Sequence, residues 1–189
     1  YFEKYVTLSN DNKKIRFLHK KANNSLIKRI QKLNLIADGD TIEYPLEAIK
    51  FLNSVAKKIE KFDGGMLTFD YGYTKNKNQN TLQSIQKHKY TNIFSKPHQL
   101  DITSHLNFKL FHQILKKNKL NVEKITPQNE FLKKIGILER ANILSRKMTF
   151  KQKANMFYRL KRLLDKKEMG YLFKVLFAQK KSKKFSLGF

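Results

Sequence analysis

Residues able to do chemistry gather at the end of one stretch, Gly64-Gly65-Met66-Leu67-Thr68-Phe69-Asp70-Tyr71-Gly72-Tyr73. Two glycines interrupt the helical pattern before it, and Met66 to Phe69 follow without alternation, which predicts a strand covered on both faces. Asp70, Tyr71 and Gly72 then fall at the carboxyl end of that strand, with Tyr73 beside them. Ligands of open α/β sheets bind in the crevice beyond the carboxyl ends of the strands, so an acid, a phenol and a permissive backbone arrive together where a polar ligand can be held. A buried strand that ends in an Asp-containing turn accounts for the same residues without any chemistry.

Other polar groups are less pointed. Asn80 and Gln83 have the spacing of a capping box, which predicts a short helix to about Lys87 with His88 at its end, where a lone histidine is more often a solvated or C-capping residue than a catalyst. Residues 96–103 are irregular, and Asp101 and Thr103 there either hold the loop together or face a cleft. The five histidines, His19, His88, His98, His105 and His112, show no ligand spacing for a metal. His105 and His112 are expected two turns apart on one solvated helix face. The chain has no phosphate-binding glycine loop, no nucleophile elbow and no glycine fingerprint for a dinucleotide. Cysteine is absent, which excludes disulfides and thiolate chemistry.

The elements that must position these groups read as one α/β domain of 189 residues. Tyr1–Leu8 and Ile15–Lys20 flank the turn formers Ser9-Asn10-Asp11-Asn12 and predict a hairpin. Ser25 is expected to cap a short helix, and Asp38-Gly39-Asp40 to make a turn. A helix from Pro45 to about Phe62 presents Leu46, Ile49, Leu52, Ala56, Ile59 and Phe62 as its stripe. Residues 75–80 are expected to form an exposed loop. Asn107 caps the next helix, with Leu106 and Phe111 as a hydrophobic staple. Leu120–Ile125 reads as a strand, and Thr126-Pro127 opens a helix to Gly136 with Phe131, Leu132 and Ile135 inward. A further helix spans 138–147. The Thr149 and Gln152 pair starts a long helix whose buried side is Phe150, Ala154, Phe157, Leu160 and Leu164, broken at Met169-Gly170. Tyr171–Ala178 is the last strand, and it can pair antiparallel with the 120–125 strand at the sheet edge. A basic tail follows.

The formal net charge is +25, from 40 Lys and Arg against 15 Asp and Glu. Such a charge attracts anions, but the lysine pairs are scattered along the chain and lysine-rich usage also accompanies AT-rich genes. No apolar run is long enough to span a membrane and no secretory signal is visible. The chain opens without Met inside an apolar run, as expected of a piece of a longer protein.

Gly64-Gly65 through Asp70-Tyr71-Gly72, Thr81-Leu82-Gln83 followed by His88, Pro97 with Asp101-Ile102-Thr103 and Phe108, Thr126-Pro127-Gln128 with Phe131-Leu132, Gly136-Ile137 with Arg140, and Met169-Gly170 through Lys174-Val175 occur in an order that resembles the C-terminal half of the MidA family. These are S-adenosylmethionine-dependent methyltransferases that include the mitochondrial arginine methyltransferase of complex I assembly. Where the family often has Pro-Gly, this chain has Pro97-His98.

The resemblance implies a Rossmann-like class I methyltransferase sheet of α/β class. The Gly64 strand is its fifth, the 120–125 and 171–178 strands form an antiparallel edge pair, and a β-hairpin insertion precedes them. On this reading residues 1–40 are the hairpin and short-helix insertion and residues 41–189 the helix–strand core. The family's glycine-rich loop and ribose-binding acid have no counterpart here, so S-adenosylmethionine would be bound mainly by an N-terminal half. The implied site is a cofactor and substrate cleft formed by Asp70, Tyr71, Gly72, Tyr73, His88, Asp101, Thr103 and Gln128. The implied acceptor is an arginine-containing protein, in the cytoplasm of a bacterium or the mitochondrial matrix of a eukaryote. The alternative is a non-enzymatic basic module that binds RNA or another anion, a reading that only the charge supports.

Overall fold

The computed structural model of the chain describes residues 1–11, 14–37, 41–75, 77–78, 80–87, 89–95 and 97–189. In chain order its elements are β1 (Phe2–Leu8), β2 (Ile15–Lys21), α1 (Asn24–Lys32), β3 (Ile36–Ala37), α2 (Leu46–Phe62), β4 (Gly65–Tyr73), β5 (Lys77–Asn78), β6 (Gln83–Gln86), β7 (Lys89–Thr91), β8 (Asp101–Thr103) and β9 (Leu106–Asn107). There follow α3 (Phe108–Lys117), β10 (Asn121–Val122), β11 (Thr126–Pro127), α4 (Gln128–Lys134), α5 (Ile137–Ser145), α6 (Phe150–Leu164), α7 (Met169–Leu172) and β12 (Phe173–Gln179). They group into two compact units, Tyr1–Tyr44 with Asn76–His105, and Pro45–Lys75 with Leu106–Phe189. The unit with the hairpin therefore takes in residues 76–105, well beyond the expected boundary at residue 40.

In the first unit β1 and β2 pair antiparallel from Phe2 opposite Lys21 to Leu8 opposite Ile15, as the apolar runs and turn residues require. The turn is closed by the Ser9 amide on the Lys14 carbonyl at 2.7 Å; Asn12 lies outside the described residues, as does the Asp38-Gly39-Asp40 turn. Helix α1 is capped by Asn23, whose Oδ1 accepts from the Leu26 amide at 2.8 Å, and not by Ser25, which lies inside the first turn. Extended backbone at Asn23, with ψ of 153°, lets a short amide reach the free donors.

The helix expected after Asn80 is a strand. Gln83–Gln86 pairs antiparallel with β7 on one side and β8 on the other, and Ser84 is buried with its Oγ donating to the Thr91 carbonyl at 2.7 Å. Pairing on both sides satisfies backbone groups that a single helical turn would leave open, so tertiary context overrides the capping pattern. Glu43 anchors the start of this strand, accepting from the Thr81 amide at 2.7 Å and the Thr81 hydroxyl at 2.8 Å. Within the stretch expected as a loop, Lys77–Asn78 pairs parallel with Ile36–Ala37.

The second unit holds a mixed sheet in the order β10-β12-β4-β9, with β11 also paired to β12. β12 runs antiparallel to β4 from Phe173 opposite Tyr71 to Gln179 opposite Gly65, and antiparallel to β10. The antiparallel edge pair is thus present, although its 120–125 member shortens to Asn121–Val122. β9 runs parallel to the end of β4, Gly72 opposite Leu106. Helices α2 and α3 bury Leu52, Ala56, Ile59, Phe108, Leu110 and Leu115 with Val175, Leu176 and Ala178. Asn107 caps α3 as expected, accepting from the Leu110 amide at 3.0 Å. Asp63 ends α2 with φ of 62°, and its carboxylate meets Lys183 at 2.9 Å and Lys180 at 3.8 Å, which hold it below the usual carboxylate pKa.

Several apolar side chains lie further out than the pattern implies. Phe62 ends the α2 stripe but is 70% exposed. β4 is covered on both faces only at its end: over Gly65–Asp70 burial alternates, and Leu67 and Phe69 lie exposed on one face. Ile135 is exposed, and none of the residues of α6 is buried, although its capping box forms as expected. Met169 and Gly170 do not break a helix; α6 has already ended at Leu164, and they open the single turn α7. The basic tail turns back: the Gln179 side chain donates to the Phe185 carbonyl at 2.6 Å and accepts from its amide at 3.2 Å, and Phe189 packs on Phe131 and Phe177.

Gly72 is where the chain can bear no side chain, since a Cβ there would lie 2.2 Å from the Leu106 carbonyl oxygen and 2.8 Å from the Phe108 ring. Gly72→Ala should cost about 1–3 kcal/mol of stability in urea denaturation. Gly64→Ala, with nothing within 4 Å of its new methyl, should stay within about 0.5 kcal/mol of the parent.

Candidate functional site

The carboxyl end of β4 is built by the returning β12. Antiparallel register sets Lys174 opposite Asp70, and on the other side of β12 sets Pro127 opposite Lys174, so three strands form one row. Directly opposed residues share a face of the sheet. Asp70 is half-buried and its Oδ1 accepts from the Tyr71 amide at 2.8 Å. Lys174 is 6% exposed; its Nζ donates to the Tyr171 carbonyl and lies 4.4 Å from the centre of the Tyr171 ring. Burial pushes the pKa of this ammonium down. On the opposite face Tyr71 meets Phe173 edge-on, ring centres 5.6 Å apart.

Gly72 and Tyr73 are buried, the glycine filled against Leu106 and Phe108. Its permissive backbone serves strand-to-strand approach, leaving Asp70 and Tyr71 as the more open groups of the four. Gln128, the first residue of α4, is buried in the same unit and its Nε2 donates to the Leu163 carbonyl at 3.0 Å, tying α4 to the end of α6. Asp101 and Thr103 lie in the other unit as ends of β8. Thr103 accepts from Gln83 Nε2 at 3.3 Å, directly across the ladder, and Asp101 is exposed. His88 lies outside the described residues.

The histidine expectation changes in part. His105 precedes β9 and is not helical, whereas His112 is on α3, half-buried, its pKa lowered by burial and then by Lys116. No three His, Cys, Asp or Glu side chains cluster for a metal among the described residues. The surface clefts lined by Ser25, Lys28, Arg29 and Lys32, and by Ala56, Lys57, Glu60, Lys61 and Asn118, contain none of the expected site residues.

Lys174 is the site residue that pattern reading passes over. Its signal is present all the same, as the one charge inside the apolar run Tyr171-Leu172-Phe173-Lys174-Val175-Leu176-Phe177-Ala178. A lone cation there must be either turned to solvent or buried with acceptors, and burial is what the fold selects.

Residues 1–126 match the family described as "Putative S-adenosyl-L-methionine-dependent methyltransferase". This chain belongs to that family. The similarity to MidA-type methyltransferases is therefore upheld, and S-adenosylmethionine is the cofactor of the family. The mitochondrial protein arginine methyltransferase NDUFAF7 of Xenopus tropicalis is 26% identical over 136 residues, which are 71% of this chain and 31% of that protein. Two crystal structures of COG1565 superfamily proteins from Burkholderia thailandensis superpose with TM-scores of 0.81, at 22% and 24% identity. They match 99% and 100% of this chain with 50% and 49% of their own, and the second is bound to S-adenosyl-homocysteine. They share its fold, which bears out the methyltransferase-type α/β sheet. The chain spans about half the length of these solved relatives.

Close approach of a nucleoside needs glycine backbone left open: Gly65, Gly72, Gly170 and Gly188 are each filled against neighbouring groups within the fold, whereas Gly64 has nothing within 4 Å and Gly136 only the Glu139 carboxylate at 3.6 Å.

Burial of Lys174 has a measurable sign. A lysine whose pKa is lower folded than unfolded binds its proton more tightly in the unfolded chain, so the stability it confers rises as pH climbs toward its ordinary 10.5. Compared with Lys174→Met by urea denaturation, the wild type should gain relative stability between pH 7 and pH 10. A difference independent of pH would mean that the ammonium is solvated.

Proposed function

We propose that this chain is the acceptor-facing part of an S-adenosylmethionine-dependent protein arginine methyltransferase, acting in respiratory complex I assembly where the organism has that pathway. The observation that carries the reading is Asp70. It stands at the carboxyl end of β4, half-buried, with one oxygen fixed by the Tyr71 amide and Oδ2 taken by no partner among the described residues. A carboxylate with one oxygen held and one free suits a guanidinium, which presents paired donors in a plane. Similarity to a protein arginine methyltransferase supports the choice of a protein arginine as acceptor.

Asp70 and Tyr71 on this reading orient the acceptor. Methylation of a guanidinium needs the acceptor nitrogen in line with the donor methyl, and fixing that line is where a positioned carboxylate contributes. The register that sets the buried Lys174 opposite Asp70 fixes the strand backbone from which the carboxylate is presented. The cofactor's own contacts belong to residues outside this chain.

In the full-length protein, Asp70→Asn should lower methyl transfer to a protein arginine on the order of a hundredfold while melting temperature stays within about 2 °C. A loss of melting temperature that tracks the loss of activity would make Asp70 a structural turn residue instead.

Titrated calorimetrically with S-adenosylmethionine, the chain of residues 1–189 should show no micromolar binding. Micromolar binding would place the cofactor site within these residues and sink the division of labour proposed here.

A further inference from the structure

Helix α6 has an apolar arc too wide for the surface it packs on. At 100° per residue, Met156, Leu160, Leu163 and Leu164 form one side and are half-buried. Phe150, Ala154, Phe157, Tyr158 and Lys161 follow on an adjoining arc of about 100°, and all of them are exposed. Phe150 is 87% exposed, Tyr158 66% and Phe157 43%. Charge beside this strip is of one sign only: Lys151 and Arg162 border it, Lys161 lies within it, and the helix has no Asp or Glu. Arg162 alone meets an acid, Glu168 beyond the helix end at 3.7 Å. The preceding helix α5 leaves Leu138, Ile143 and Leu144 exposed as well, and Arg146 and Lys147 follow it.

We propose that the outward strip of α6 docks this chain on an anionic lipid bilayer, its aromatic side chains entering the headgroup boundary and its cations meeting lipid phosphates. Charge complementarity selects this occupant. An apolar strip bordered by Lys and Arg with no acid is the pattern of a helix lying in the interface plane, and the whole chain carries +25. Exposed leucine and isoleucine gain little from stacking on bases, so RNA explains the cations but not the aliphatic side chains of α5. Among the described residues no helix is long and apolar enough to cross a membrane, so the attachment is to the surface. The inference is independent of Asp70 and of the acceptor, because it rests on a different face and on no reaction.

Co-sedimentation of the full chain with vesicles tests it, using phosphatidylcholine alone and phosphatidylcholine with an equal part of phosphatidylglycerol. The anionic vesicles should be bound about tenfold or more tightly, with affinity falling as salt rises. Phe150→Ser with Phe157→Ser should weaken that binding about tenfold, and Lys151→Glu with Lys161→Glu should remove the preference for anionic lipid. All four residues are exposed, so circular dichroism and melting temperature should be unchanged. Equal binding to both vesicles, or serine variants that bind as well as the parent, overturns the proposal. So does absent vesicle binding when the serine substitutions weaken single-stranded RNA binding or change the oligomeric state in light scattering, since the strip is then an RNA or protein contact.

Discussion

The antiparallel ladder between β4 and β12 is the constraint on which the larger unit depends. It joins the middle of the chain to its end through seven opposed pairs, from Phe173 opposite Tyr71 to Gln179 opposite Gly65. Through it the short strands β10 and β11 acquire a partner, and α2 and α3 acquire a surface on which to bury Leu52, Ala56, Phe108 and Leu115. Such long-range pairing must overcome a large loop-closure entropy, and the buried Val175, Leu176 and Ala178 supply the apolar area that offsets it. The end of the chain reinforces the same strand, with Gln179 holding the Phe185 backbone and Phe177 packed between Phe185 and Phe189.

The ladder also creates the polar row. Lys174 is buried because its neighbours in β12 are core, and it faces Asp70 because the register puts it there. A buried ammonium is costly, and here the Tyr171 carbonyl and ring provide partial compensation. The glycines serve the same scaffold. Gly72 lets β9 approach β4, and Gly170 lets α7 turn against the Leu164 carbonyl, where a Cβ would lie 2.5 Å away. Glycine filled in this way is used for packing within the fold.

Lysines lie over aromatic rings in both units, among them Lys61 at 4.9 Å from the centre of Phe62. In the first, lysines lie over aromatic rings of the hairpin, Lys4 at 4.9 Å from the centre of Phe17 and Lys20 at 5.3 Å from that of Tyr5, so part of the basic surface also covers apolar rings. In the second, α6 has no acid of its own, only Arg162 reaching Glu168 beyond its end among the described residues, and it leaves Phe150 and Tyr158 bare beside its cations. Net charge alone does not distinguish these arrangements. The difference appears only once it is known which side chains have rings or acids for neighbours.

Local signals determined much of this protein. The hairpin pairs neighbouring runs of the chain, and α2, the Asn107 cap of α3 and the Thr149–Gln152 capping box are written within short spans, because each depends on groups within about four residues of one another. The motif order also identified the methyltransferase family. What tertiary structure alone decided is whatever needs a distant partner. Gln83–Gln86 has a helix-start pattern but becomes a strand, since neighbours on both sides complete its hydrogen bonds. The stripe of α6 has core spacing but stays at the surface, since burial requires an opposing face and spacing cannot say whether one exists. Lys174 stands opposite Asp70 through register, a property of two strands that neither carries in its own sequence.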